Sequence, residues 1–177
     1  PRMQTGSDVL TAYVLAITHE SGFEIPASIR DRMSAGLTGF VEGRVRRGSA
    51  LATADLAIRK VAAVEALSRY GKAKAALLGS VAVEPALWPT SAVIDWIGVL
   101  KRTGDIPVRT KKLAAAQQIL RSRLNLQGTT MGFSTEQADG LWWLMVSPDV
   151  NAVRTLLAVV DLDAWKEDAP RIAKGAL

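Results

Sequence analysis

Four segments of this chain open in the same way. They read Ser7-Asp-Val-Leu-Thr-Ala-Tyr-Val, Thr53-Ala-Asp-Leu-Ala-Ile-Arg-Lys-Val, Thr90-Ser-Ala-Val-Ile-Asp-Trp-Ile and Ser147-Pro-Asp-Val-Asn-Ala-Val-Arg. Each begins with a hydroxyl side chain that can accept a hydrogen bond from the free N–H groups of a first helical turn. Each then places apolar residues three and four apart, the spacing of one helix face. The starts lie roughly 40 to 60 residues apart, about one helical hairpin with its loops. A lone hairpin cannot bury its apolar face, so repeated hairpins must stack on their neighbours. The pattern predicts an all-α array.

The periodicity assigns the elements in turn. A first helix is expected from about Ser7 to Ser21, stopping at Gly22, with Leu10, Tyr13, Val14 and Ile17 as its inward stripe. Pro26 opens a second, with Ile29, Met33, Leu37, Phe40 and Val41 on one face and an end near Arg47-Gly48. Gly36 and Gly39 inside it predict close packing against a neighbour, since each costs about 1 kcal/mol against Ala. Thr53 opens a third with Ala57, Val61, Val64 and Leu67 inward and Gly71 at its end, followed by a short helix over Lys72 to Ser80. Glu84-Pro-Ala-Leu-Trp-Pro89 is a turn, because two prolines bar helix upstream.

A fifth helix spans about Thr90 to Arg102, with Val93, Trp96, Ile97 and Leu100 inward and Gly104 as its stop. A sixth follows Asp105-Ile-Pro107 and shows Leu113, Ala116, Leu120 and Leu124. Residues 125–140 carry glycines at 128, 132 and 140 and no helical stripe, which predicts a long irregular loop or a short β-hairpin. Ser147-Pro148 begins another helix with Val150, Val153, Leu157 and Val160 as its stripe. Asp161 to Ala169 then forms a turn or short helix into Pro170, beyond which fewer than two helical turns remain. The expected fold is one partial all-α domain over 1–177, cut from a longer polypeptide.

Composition removes several chemistries. The chain has 177 residues, no cysteine and a single histidine, His19, so disulfides, thiolate sites and multi-histidine metal sites cannot be built from it. A charge of +5 raises nucleic acid as a partner, but the basic residues are scattered in small groups. These are Arg44-Val-Arg46-Arg47, Lys101-Arg102, Lys111-Lys112 and Arg121-Ser-Arg123, several near helix C-termini, where the dipole favours a cation. A solvated surface, with no nucleic-acid partner, is the expectation. No apolar run approaches the ~20 residues of a membrane span.

Candidate reactive residues are few. His19 lies late in the first helix without both a nucleophile and an orienting partner nearby, and reads as a helix-end histidine satisfied by a carbonyl. Asp161, Asp163, Glu167 and Asp168 form the densest acidic group, but their spacing matches no calcium loop and reads as helix capping. Trp88, Trp96, Trp142, Trp143 and Trp165 could stack on sugars or bases, and read more simply as core fillers with an anchored N–H. Ser134-Thr-Glu-Gln137 reads as a cap or polar turn. No catalytic, cofactor-binding or metal-binding residue is assigned, and no cofactor is expected.

Three stretches together resemble one family. Ser7-Asp-Val-Leu-Thr-Ala-Tyr-Val-Leu is similar to the Leu-Thr-Ala-Tyr helix of the alpha-2-macroglobulin and complement group. Leu87-Trp-Pro-Thr-Ser-Ala-Val-Ile-Asp-Trp resembles the bacterial alpha-2-macroglobulins more specifically. So does Asn125-Leu-Gln-Gly-Thr-Thr-Met-Gly-Phe-Ser taken with Trp142-Trp-Leu-Met-Val-Ser-Pro-Asp-Val-Asn-Ala-Val-Arg154.

The resemblance implies part of an α/α toroid, the thioester-domain region of a broad-spectrum endopeptidase inhibitor of the periplasm or cell envelope. Such proteins trap proteases after bait cleavage, many through a Cys-to-Gln thioester. The implied partners are proteases, met through the full-length protein, and the other domains of the parent chain. The chain departs from the family at the Cys-x-Glu-Gln motif, since it has no cysteine, and Ser134-Thr-Glu-Gln137 lies downstream of that motif's place. An α-solenoid interaction module is the alternative reading. A toroid enzyme such as a terpenoid cyclase or glycoside-processing enzyme is a third, disfavoured for want of acidic catalytic clusters.

Overall fold

A computed structural model describes residues 6–46, 54–133 and 146–176. Within them the chain is all-α with one short β-hairpin. It divides into two compact units, one of residues 1–84 and 98–109, the other of residues 85–97 and 110–177.

The first unit holds α1 (Asp8–Ser21), α2 (Ala27–Val41), α3 (Ala54–Arg69) and a 3-10 turn (Ala75–Ser80). The first helix starts and stops as its sequence dictates. The Ser7 hydroxyl accepts from the Leu10 N–H at 3.2 Å, and Gly22 turns out at φ 72°, a left-handed conformation open to glycine. Its inward face, however, is not the expected one. Asp8, Ala12 and Leu15 are buried, whereas Leu10 is 50% and Ile17 46% exposed and Tyr13 is exposed beside them. Two contacts with α3 and the residue after it accompany this orientation. Asp8 pairs with Arg59 on α3, and the Tyr70 hydroxyl donates to the Leu15 carbonyl at 3.0 Å.

The second helix follows Pro26 as expected but ends at Val41, short of Arg47-Gly48. Gly43 turns left-handed there, and the Val45 N–H caps the Gly39 carbonyl at 2.9 Å. Leu37, Phe40 and Val41 are buried, Met33 is half-buried, and Ile29 at the other end is exposed. A side chain at Gly39 would meet Val45 at 3.1 Å, in the turn that follows its own helix rather than on a neighbouring helix, while Gly36 faces open space. The third helix packs on both α1 and α2. Val61, Val64 and Leu67 are buried and Ala57 half-buried. The expected short helix after Gly71 is the 3-10 turn, whose Ala75 N–H is held by the Asp105 carboxylate at 3.1 Å.

The fourth helix, α4 (Thr90–Arg102), has the bounds its sequence predicts, and Val93, Trp96, Ile97 and Leu100 are all buried. Its residues from Gly98 belong to the first unit and those to Ile97 to the second. In the first unit, Arg109 donates to the Leu100 carbonyl at 3.2 Å, so a guanidinium covers an orphan carbonyl at the end of α4.

The second unit contains α5 (Arg109–Ser122) from residue 110 onward, β1 (Leu124–Gln127), β2 (Thr130–Phe133), α6 (Pro148–Val159) and α7 (Ala169–Gly175). Ala116 and Leu120 are buried in α5, and Leu124 belongs to β1 rather than to the helix. The strands pair antiparallel, Leu124 opposite Phe133 and Gln127 opposite Thr130. A two-residue loop joins them, with Gly128 at φ 62°. Residues 134–140 of the predicted loop lie outside the described residues.

The last helix packs on β2 so closely that a Cβ at Gly175 would lie far inside contact distance of the Met131 carbonyl oxygen. The sixth helix is capped by Ser147, whose hydroxyl accepts from the Val150 N–H at 3.2 Å. Like Leu10, Tyr13 and Ile17 of α1, its expected stripe turns outward. Val150, Val153, Leu157 and Val160 are exposed, Leu157 at 48% and Val160 at 60%, while Asn151, Ala152, Thr155 and Val159 are buried. The buried face packs on α7 and β2.

Candidate functional site

The first unit concentrates its charge on α3. Arg59 lies one turn beyond Asp55, and both are buried. Arg59 donates to both oxygens of Asp8, Nε to Oδ2 at 2.8 Å and Nη2 to Oδ1 at 2.6 Å, a two-pronged pairing suited to the planar guanidinium. Its Nη1 reaches Asp55 Oδ2 at 3.4 Å, and its guanidinium carbon sits 5.3 Å from the centre of the Phe40 ring. Two carboxylates thus share one cation out of water. The hydrogen bond to Asp8 leads the causes that raise the pKa of Arg59 above its ordinary value. Burial raises that of Asp55, against the opposing pull of Arg59 and with a smaller push from Asp8.

Nearly three turns further on, Arg69 donates to Glu65 Oε1 at 2.8 Å and to Glu20 Oε2 at 2.7 Å. Arg102 donates to the same Glu65 oxygen at 2.9 Å and to the Ser68 hydroxyl at 3.3 Å. Burial disfavours the charge on Arg69, but the two carboxylates together outweigh it and raise its pKa. Lys60, also buried, donates to the Ser80 carbonyl at 3.3 Å. Every carboxylate in these clusters faces a guanidinium; Asp8 and Glu20 pair from α1 to α3 and Glu65 from α3 to Arg102, while Asp55 pairs within α3.

The residues singled out in the sequence are scattered. The His19 ring meets Tyr70 edge-on at 5.4 Å, with Nδ1 4.0 Å from Glu20, so an aromatic and a carboxylate are the neighbours found where a carbonyl was expected. Asp168 pairs with Arg121 at 3.0 Å, and Asp163 with Lys166 at 2.7 Å. Asp168 stands at the N-cap of α7 but makes no side-chain capping bond, so pairing replaces the expected capping. Among the described residues no group of three or more His, Cys, Asp or Glu could hold a metal ion, and no helix is long and apolar enough to cross a membrane.

Trp88, Trp96 and Trp165 are core residues. The first two meet edge-on at 6.2 Å. Trp165 donates its Nε1 to Gln117 at 3.1 Å while Arg121 lies 4.4 Å over its ring. Trp142, Trp143 and Ser134–Gln137 lie outside the described residues. Of the basic groups, Arg123 holds the Thr90 hydroxyl at 3.2 Å, and Arg102 and Arg121 are paired as above.

Sequence reasoning passed over the Asp8–Arg59–Asp55 cluster. Its available signal was the i,i+4 spacing of Asp55 and Arg59 on α3. It also passed over the two outward apolar faces of α1 and α6, which are the other unusual feature of the molecule. Compared with known proteins, the chain matches no family model, no curated protein and no solved structure.

Proposed function

We propose that this chain is a non-enzymatic, thioester-domain-type helical region of a bacterial alpha-2-macroglobulin-like endopeptidase inhibitor, and that it serves as scaffold rather than reactive centre. One observation carries the reading. Two of the helices that hold the family-like motifs, α1 with Leu-Thr-Ala-Tyr and α6 with Ser-Pro-Asp-Val-Asn-Ala-Val-Arg, turn their apolar stripes outward. Helices of an α/α toroid that await neighbouring hairpins have such faces, since contiguous exposed apolar surface marks a contact to be made. The ion pairs that tie α1 to α3 fit a scaffold. With no cysteine in the chain, any thioester sulfur would come from elsewhere in the parent polypeptide. Proteases would be met through that parent, in the periplasm or cell envelope.

The test is to express the whole reading frame that encodes this chain and add an endopeptidase. Trapping removes activity on a large protein substrate while sparing activity on a small peptide. The 177-residue chain alone is expected to inhibit neither. Unimpaired digestion of the large substrate by the treated protease would sink the proposal. It would leave the second reading, an α-solenoid interaction module, which the same exposed faces also favour.

A further inference from the structure

The Asp8–Arg59–Asp55 cluster joins α1 to α3 with two carboxylates and one guanidinium, all at most 8% exposed. Fully ionised, it carries one surplus negative charge out of water. We propose that this cluster is an acid-tightened clamp, in which proton uptake at Asp55 neutralises the surplus and strengthens the α1–α3 joint.

The geometry separates the two carboxylates. Asp8 has both oxygens on Arg59 at 2.6 and 2.8 Å, whereas Asp55 has one oxygen at 3.4 Å and an Oδ1 with no hydrogen-bond partner among the described residues. The proton, taken from water, therefore goes to Asp55, and the tight Asp8–Arg59 pair is kept. From α1 the facing charge is Asp8 and from α3 it is Arg59; α2 brings the uncharged Phe40 ring against Arg59. The adjacent Lys60 is committed to the Ser80 carbonyl. Burial outweighs the pull of Arg59, so the Asp55 carboxyl titrates above the ordinary 3.8.

The sign follows from linkage. An acid whose folded value is raised binds its proton more readily in the native state. The stabilisation is fully present below 3.8 and is lost as pH rises through the folded value. The clamp is loosest at neutral pH, and its tightening does not depend on the inhibitor reading.

Amide hydrogen exchange of α1 in the full chain tests this, after correction for intrinsic exchange. Protection is expected to rise several-fold between neutral pH and the lower end of that window. In Asp55→Asn, which holds a neutral side chain at all pH, the slope is expected to vanish, with neutral-pH protection at or above wild type. An unchanged slope in that variant, or protection below wild type, overturns the proposal. A carboxyl-carbon NMR titration of wild-type Asp55 needs no variant: a midpoint above the ordinary value supports the clamp, and one at or below it overturns it.

Discussion

Helices α4 and α6 are written in the same pattern and end in opposite environments. Each carries apolar residues at i, i+3 and i+7, Val93, Trp96 and Leu100 in one, Val150, Val153 and Leu157 in the other. The first set is buried and the second exposed. The difference lies on their other faces. In α4 the other faces carry Ala92, Ile94, Ile97 and Val99, and even the polar Thr90, Ser91 and Asp95 are covered, so the whole helix from Thr90 to Leu100 is buried. In α6 the remaining face offers Asn151, Ala152 and Thr155, two of them small enough for close approach, and it is this face that meets α7 and β2. Periodicity thus finds a face that must be covered, but not which face the chain itself covers. The lesson repeats in α1, where Asp8 and Ala12 take the inward side and Leu10, Tyr13 and Ile17 are left out.

Three substitutions can break or sharpen this contrast. Trp96→Ala in α4 should cost about 3–5 kcal/mol in denaturant unfolding, as for a large buried ring; a loss under about 1 kcal/mol would remove α4 from the core. On the inward side of α6, Thr155 is buried and its hydroxyl has no partner among the described residues. Thr155→Val keeps the shape and removes that hydroxyl, so a gain of up to about 1 kcal/mol is expected. A clear loss would show the hydroxyl to be bonded. Leu157→Ser on the outward side should change stability by no more than about 0.5 kcal/mol in the isolated chain. A core-sized loss would mean that α6 faces the other way. In the full-length parent the same substitution becomes costly if a neighbouring hairpin sits there.

Much of the architecture was legible in the sequence. Ser7 and Ser147 act as caps, Gly22 closes α1, and α4 has the bounds its sequence predicts. These features are set by residues within one turn of each other. The hairpin at Leu124–Phe133 was one of two readings of an irregular stretch, decided by strand pairing and a left-handed Gly128. What the sequence hid depends on residues far apart. Asp8 and Arg59 are 51 positions distant, and only the fold shows that they pair and that Asp8 lies on the inward face of α1. The early end of α2 escaped for a local reason, the turn at Gly43 cutting short a pattern that continued on paper. The Asp55 environment was equally closed to inspection, because a carboxylate one turn before an arginine reads as an ordinary surface pair until burial is known.

Backbone meets backbone where Gly175 lies against the Met131 carbonyl. No rotamer change can relieve a clash there, since neither partner is the tip of a side chain. Any heavier residue at 175 has to push an entire strand aside. A substitution at that position is therefore paid for in backbone, and α7 can lie against the hairpin only because residue 175 has no side chain.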